Sequence, residues 1–143
     1  MATLERAIQI SAKAHEGQVD KAGQPYIIHP IKVMLRVQNE AERIAAILHD
    51  VVEDTDITFD DLLIEGFSNE ILEAVEALTK RDGETRLEAA KRASRNPIAL
   101  KVKLADNAEN MDISRIDNPT ERDFERLNEY KVIREFLLSA LEN

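Results

Sequence analysis

Apolar residues recur along most of this chain at three- and four-residue intervals, and alternating β-type runs are nearly absent. The pattern predicts a succession of helices. The first covers Thr3 to Ala14, with Leu4, Ala7, Ile8, Ser11 and Ala12 on one side. The segment "HEGQVDKAGQPY" then breaks it with two glycines and a proline. A second, short helix starts near His29, with Pro30 suited to a first helical position. A third runs from about Ala41 through Val52 and is interrupted by "DTDIT". Thr58 caps a short helix that stops at Gly66. Another begins at Ser68 and ends near Thr79. After the loop "KRDGET", helices follow over Arg86 to Ser94 and from Pro97 through "ALKVKLADNAENMDIS". The last spans Thr120 to Leu141, with Phe124, Leu127, Val132, Phe136 and Leu137 as expected core contacts. The expected fold class is all-α, with residues 1–143 forming one multi-helix domain.

Within this pattern, "AAILHDVVEDT" is anomalous. It reads as a buried or half-buried helix, yet it holds His49, Asp50, Glu53 and Asp54 within six residues. His49 and Glu53 are separated by four residues, as are Asp50 and Asp54, so each pair shares a helix face. Three of the four groups carry negative charge when ionised. Left alone they would repel and raise one another's pKa. A divalent cation is the simplest remedy. "KVKLADNAENMD" repeats the anomaly, placing Asp106 and Asn110 four residues apart among Val102, Leu104, Ala105 and Ala108. His29 sits in "PYIIHPI" at a helix start. Two imidazoles and two carboxylates, from His29, His49, Asp50 and Asp106, suit a Mn²⁺, Fe²⁺, Mg²⁺ or Zn²⁺ site that keeps positions open for water and substrate. A closed structural site would use a different ligand set.

Composition narrows the chemistry further. The chain has no cysteine, which excludes disulfides, thiolate metal sites and a cysteine nucleophile. Its formal net charge of −9 argues against broad binding to a nucleic-acid polymer, which needs a positive surface. A small anionic ligand remains compatible, because one bound cation reverses the local field. Neither a long apolar leader in "MATLERAIQI" nor an 18-residue apolar run is present, so a cytoplasmic protein without a membrane span is expected. The sequence leaves the oligomeric state open.

The order H…HD…D, with "HDVVED" and "KLADNAENM", resembles the HD phosphohydrolase superfamily. More narrowly, "AHEGQVDKAGQPYIIHPIKV", "AAILHDVVEDT", "GFSNEILEAVEALTK" and "NPIALKVKLADNAENMDISRI" are similar to the hydrolase domain of RelA/SpoT-type alarmone enzymes, over roughly Leu4 to Ile116. The resemblance is to the small, stand-alone hydrolases. It implies a helical domain, one bound Mn²⁺ and removal of the 3′-pyrophosphate of (p)ppGpp. It also implies roles: His29, His49, Asp50 and Asp106 as metal ligands, Glu53 and Asp54 as the acidic pair handling the attacking water, and Lys21 and Asn110 beside the nucleotide.

His15 is expected to support its loop rather than to bind metal. Lys101, Lys103 and Arg115 are candidate phosphate contacts, although solvated helix faces look the same. "DFERLNEY" is expected to pack. Three positions depart from the family pattern. Asp20 stands where a basic residue is usual before Lys21. The segment "ETRLEAAKRASRN" lacks a customary tyrosine and offers Arg86 instead, able to stack on a base or pair with phosphate. Asn107 stands where arginine or leucine is common. Three functions therefore remain: a (p)ppGpp 3′-pyrophosphohydrolase, a metal phosphohydrolase of the same fold acting on another nucleotide or phosphoester, and a non-catalytic nucleotide-binding regulatory module.

Overall fold

The computed structural model describes residues 1–114 and 116–142. Among these, nine helices occur in the order α1 (Leu4–Ala14), α2 (Ile28–Arg36), α3 (Glu40–Leu48), α4 (Val51–Asp54), α5 (Phe59–Glu65), α6 (Asn69–Leu78), α7 (Arg86–Ala93), α8 (Pro97–Asn110) and α9 (Glu121–Glu142). The extended structure seen among the described residues is one isolated antiparallel bridge, Val19 to Pro25, in the loop after α1. No helix among them is long and apolar enough to cross a membrane.

Local sequence accounts for most boundaries. Asn39, Thr58 and Thr85 each accept a hydrogen bond from the backbone three residues on, and Glu42, Asp61 and Glu88 answer at the third position. These reciprocal capping boxes satisfy amides that a helix start leaves unpaired. Asn96 caps α8 ahead of Pro97, whose missing N–H costs nothing there. Gly66 ends α5 in the left-handed region (φ 95°), where a side chain would be strained.

Helix α3 is the axis of the fold. Ile44 to Leu48 are all buried, so the helix is apolar around its circumference. One side, through Ile44, Ile47 and Leu48, joins α1, α5 and α6 in a first core cluster. The other, through Ala45 and Ala46, meets Val33 of α2, Leu78 of α6 and Val102 and Ala105 of α8 in a second. The alanines allow α2 and α8 to approach closely, and both carry candidate site residues. A third cluster joins Ala90 of α7, Leu100 of α8, and Ile133 and Leu137 of α9.

Three expectations need correction. Helix α8 ends at Asn110 rather than continuing through Ser114. The third helix does not continue from Ala41 through Val52. It ends at Leu48, and a turn over His49 and Asp50 restarts the chain as the single turn α4. The face of α9 differs in part: Leu137 is buried as expected, but Phe124 and Val132 are exposed and Ile133 is the other buried anchor. Apolar residues are scattered around α9, so periodicity does not single out one face. Truncating the Ile133 side chain to alanine is expected to destabilise the fold by about 2–5 kcal/mol. Val132→Ala is expected to stay within about 0.5 kcal/mol of the parent chain. Urea unfolding of the two variants checks the assignment, and equal losses would refute it.

Candidate metal centre and substrate cleft

Three helices and one interruption bring the anomalous polar residues together. His29 lies in the first turn of α2, directly before Pro30. Asp106 projects from the buried side of α8. His49 forms the end of α3, where its backbone N–H turns back to the carbonyl of Ala46. Its Nδ1–H also donates to that carbonyl, at 2.6 Å. This bond commits Nδ1 as a donor and turns Nε2 toward the carboxylates. Nε2 lies 3.0 Å from Asp50 Oδ2 and 3.4 Å from Asp106 Oδ1. His29 Nε2 is 2.8 Å from Asp106 Oδ1. Asn110 Nδ2 donates to that same oxygen at 3.2 Å, and Lys103 Nζ stands 3.5 Å from Oδ2.

The electrostatics of this cluster favour a positive charge at its centre. Burial opposes charge on His49, but the Asp50 and Asp106 carboxylates outweigh it and hold its pKa well above the ordinary imidazole value. Burial likewise opposes charge on Asp106, and Lys103 with the two imidazoles overcomes it, so the carboxyl lies well below its usual range. Asp50 is lowered too, His49 outweighing the burial.

The donor set fits a divalent cation. His49 Nε2 is buried and makes no hydrogen bond of acceptable geometry despite its two short carboxylate distances. A divalent cation held there would take the place of the proton that the two carboxylates favour on Nε2. Donor atoms of His29, His49 and Asp50 lie within 4.8 Å of one another. Two imidazoles with carboxylates suit a cation of the Mn²⁺, Fe²⁺ or Zn²⁺ kind.

One turn on, Glu53 and Asp54 occupy α4. Glu53 Oε1 accepts the Lys80 backbone N–H at 2.8 Å, tying α4 to the loop after α6. Asp54 is pushed up to about 6, first by burial and then by the negative charges of Asp50 and Glu53. A carboxyl near neutrality is suited to proton transfer.

All nine site residues expected from sequence line one cleft of about 420 Å³: Lys21, His29, His49, Asp50, Glu53, Asp54, Arg86, Asp106 and Asn110. Lys21 reaches its rim and pairs with Asp123 of α9 at 3.2 Å. Arg86 enters from the α7 wall and faces Glu129 at 3.4 Å. Asp20 uses Oδ1 to accept the Ala22 and Gln24 amides, at 2.8 and 3.0 Å. Asp20 thus shapes the loop that carries Lys21. Lys103 lines the cleft, while Lys101 lies on a separate groove beside Arg36 and Arg134. Arg115 lies outside the described residues.

His15 supports its loop. Nδ1 is 2.9 Å from Gln18 Oε1, and Gln18 Nε2 donates to the Asp54 carbonyl. Sequence reasoning overlooked Tyr26, Tyr130 and Lys80, which also line the cleft. A signal existed: the chain has two tyrosines, and both are here. Tyr130 belongs to "DFERLNEY", so that segment reaches the cleft as well as packing. Asn107, the third departure, donates Nδ2–H to the Tyr130 carbonyl at 2.9 Å and fastens α9 to α8.

The HD domain family model matches residues 7–104, a span that contains His29, the His49–Asp50 pair and the Glu53–Asp54 turn. The chain belongs to the HD-domain family. Among its relatives, a probable GTP pyrophosphokinase of Mycobacterium leprae is 32% identical over 124 residues, 78% of this chain and 16% of that protein. A guanosine-3′,5′-bis(diphosphate) 3′-pyrophosphohydrolase of Aquifex aeolicus is 31% identical over 120 residues, 76% of this chain and 17% of that protein. This HD-domain chain therefore spans about a sixth of the length of these curated relatives. A solved structure of a metazoan ortholog of SpoT, described as hydrolysing ppGpp and acting in starvation responses, superposes with a TM-score of 0.80 at 28% identity. The match covers 99% of this chain and 86% of that one.

Saturating Mn²⁺ is expected to raise the melting temperature of the HD-domain chain by roughly 5–10 °C, since a ligand at 100 times its Kd adds about 2.7 kcal/mol. A chelator should reverse the shift, and Asp106→Ala should abolish it. Thermal melts of the parent chain that ignore Mn²⁺ would remove the cation from this cluster.

Proposed function

We propose that this chain is a Mn²⁺-dependent (p)ppGpp 3′-pyrophosphohydrolase, with His29, His49, Asp50 and Asp106 holding the metal. The observation that carries the reading is the convergence of His29, His49 and Asp50 donor atoms within 4.8 Å of one another, with the buried Nε2 of His49 facing two carboxylates in a cleft that Lys21, Lys80, Arg86 and Lys103 also line. The relatives named for hydrolysis of guanosine-3′,5′-bis(diphosphate), and the SpoT ortholog described as hydrolysing ppGpp, support the choice of substrate.

His29, His49, Asp50 and Asp106 would hold a divalent cation, which would supply acidification of a water and neutralisation of phosphoryl charge. The chain supplies the rest. Glu53 and Asp54 stand one turn beyond the ligand Asp50, in position to take the proton of the attacking water. Glu53 is held for this by the Lys80 amide. Asn110 is already fixed to the ligand Asp106, and Lys21 and Arg86 approach from opposite walls. Their charges suit the two phosphorylated ends of the substrate. Each is paired with an α9 carboxylate, Asp123 or Glu129, which substrate phosphates would displace. Water adds to the phosphorus next to the ribose, the bond from that phosphorus to the 3′-oxygen breaks, and the 3′-oxygen takes up a proton as pyrophosphate departs.

A specific observation favours a second reading. Asp20 in the Lys21 loop and Arg86 on the α7 wall replace side chains usual on the nucleoside side of the family's cleft. Another phosphorylated nucleotide or phosphoester would then be the substrate of the same metal machinery.

The deciding experiment incubates the chain with Mn²⁺ and ppGpp and measures pyrophosphate. Release that stops with chelator is expected. Asp50→Ala should lose both Mn²⁺ and turnover, whereas Glu53→Gln should keep Mn²⁺ and lose about 10²–10⁴-fold in rate. Turnover of other nucleotides with none of ppGpp would establish the second reading. Full activity in Glu53→Gln would overturn the role given to that carboxylate.

A further inference from the structure

We propose that Tyr26 is a positioning residue for the metal centre: its hydroxyl fixes the rotation of the Asp50 carboxylate so that the carboxylate meets the cation in one orientation. This rests on the ligand set proposed above and adds a residue to it.

The observations are geometric. The Tyr26 hydroxyl donates to Asp50 Oδ2, the oxygen that also faces His49 Nε2. Asp50 needs such a partner. It sits in the two-residue break between α3 and α4, where its side chain makes no capping bond to the helix that follows. An aspartate in a turn, without a cap, is free to rotate about its side-chain bonds unless a neighbour holds it. The hydroxyl occupies one lone pair of four on the carboxylate and leaves the others for the cation.

Tyr26 is itself held from several sides, as a positioning group must be. Its backbone N–H donates to the Gln18 carbonyl at 2.9 Å, next to the Val19–Pro25 bridge. Its ring lies between two imidazoles, with centroids 4.9 Å from His15 and 5.8 Å from His29. Gln18 closes the frame, its Oε1 accepting from His15 Nδ1–H and its Nε2 donating to the Asp54 carbonyl. The whole loop therefore braces the α4 turn from below. A phenol ordinarily loses its proton only near pH 10, so the hydroxyl is the donor and the carboxylate the acceptor at neutral pH. With that proton committed to Asp50, the hydroxyl is not a group aimed at substrate.

Removing hydrogen-bond partners of metal ligands typically costs about 10–100-fold in metal affinity or activity. The test uses Tyr26→Phe, which keeps the ring between His15 and His29 and deletes the hydroxyl alone. Mn²⁺ affinity is measured by calorimetry in the parent and variant chains, alongside the melting temperature without metal. The expected result is an affinity at least tenfold weaker, with the metal-free melting temperature within a few degrees of the parent. At saturating Mn²⁺, KM for the phosphorylated substrate should be unchanged. A loss of affinity smaller than tenfold overturns the proposal and leaves Tyr26 as a packing residue. Failure of the parent chain itself to bind Mn²⁺ refutes the ligand set, and this inference with it.

Should Tyr26→Phe not fold, Tyr130→Phe gives a chain in which Tyr26 is the one remaining tyrosine. Its near-ultraviolet difference spectrum on Mn²⁺ addition then reads the phenol directly. A tyrosine difference band that saturates with the metal is expected. A flat spectrum at a Mn²⁺ concentration that raises the melting temperature would overturn the role.

Discussion

Four ionisable side chains, His29, His49, Asp50 and Asp106, converge at the base of one cleft, and the fold is arranged around their need for a central positive charge. Removing carboxylates from water costs several kcal/mol each unless charge and hydrogen bonds compensate. Here the compensation is layered. His29 and Asn110 reach Asp106, Lys103 stands behind it, and Tyr26 serves Asp50. The backbone of Ala46 holds His49 with Nε2 turned toward the carboxylates. The supporting groups come from α2, α3, α8 and the loop after α1. The cluster therefore requires α2, α3, α4 and α8 to be in place together, and α3, continuously buried from Ile44 to Leu48, is the axis that locks them.

The break after Leu48 follows from the same constraint. A continuous helix through Val52 would point His49 and Asp50 in directions about 100° apart around its axis. Ending α3 at His49 lets the imidazole turn back on Ala46 while Asp50 swings toward it. The restarted turn α4 then offers Glu53 and Asp54 to the cleft and buries Val51 beneath them. The interruption costs helix hydrogen bonds and gains the arrangement of the site.

Much of this was legible in the sequence because local signals carry it. Thr58, Ser68, Gly66 and Pro97 mark helix ends through backbone chemistry that needs no tertiary partner. The candidate ligands His49, Asp50 and Asp106 stood out because polar groups in an apolar helical setting demand an explanation, whereas Lys21 and Arg86 were singled out only through the family resemblance. The α3–α4 break was not, since "AAILHDVVED" has good helix formers throughout and only the convergence with His29 and Asp106 selects the turn. The buried face of α9 was not, since apolar side chains surround that helix and its neighbours decide which of them, Ile133 or Val132, goes inside. Tyr26 escaped notice because its hydroxyl acquires meaning only once Asp50, 24 residues away, is beside it.

Charge is distributed with the same logic. The chain carries −9 overall, yet the cleft is acidic at its floor and basic at its walls, where Lys21, Lys80, Arg86 and Lys103 stand. The floor attracts a cation and the walls attract an anion. Two of the wall cations, Lys21 and Arg86, are paired with α9 carboxylates. Exposed pairs of this kind contribute little stability, about 0–1 kcal/mol. They are therefore easily exchanged for a phosphate while keeping the side chains extended toward the cleft. Helix α9, fastened by Asn107 to the helix that bears Asp106, thereby connects the cation site to the groups that would receive the substrate.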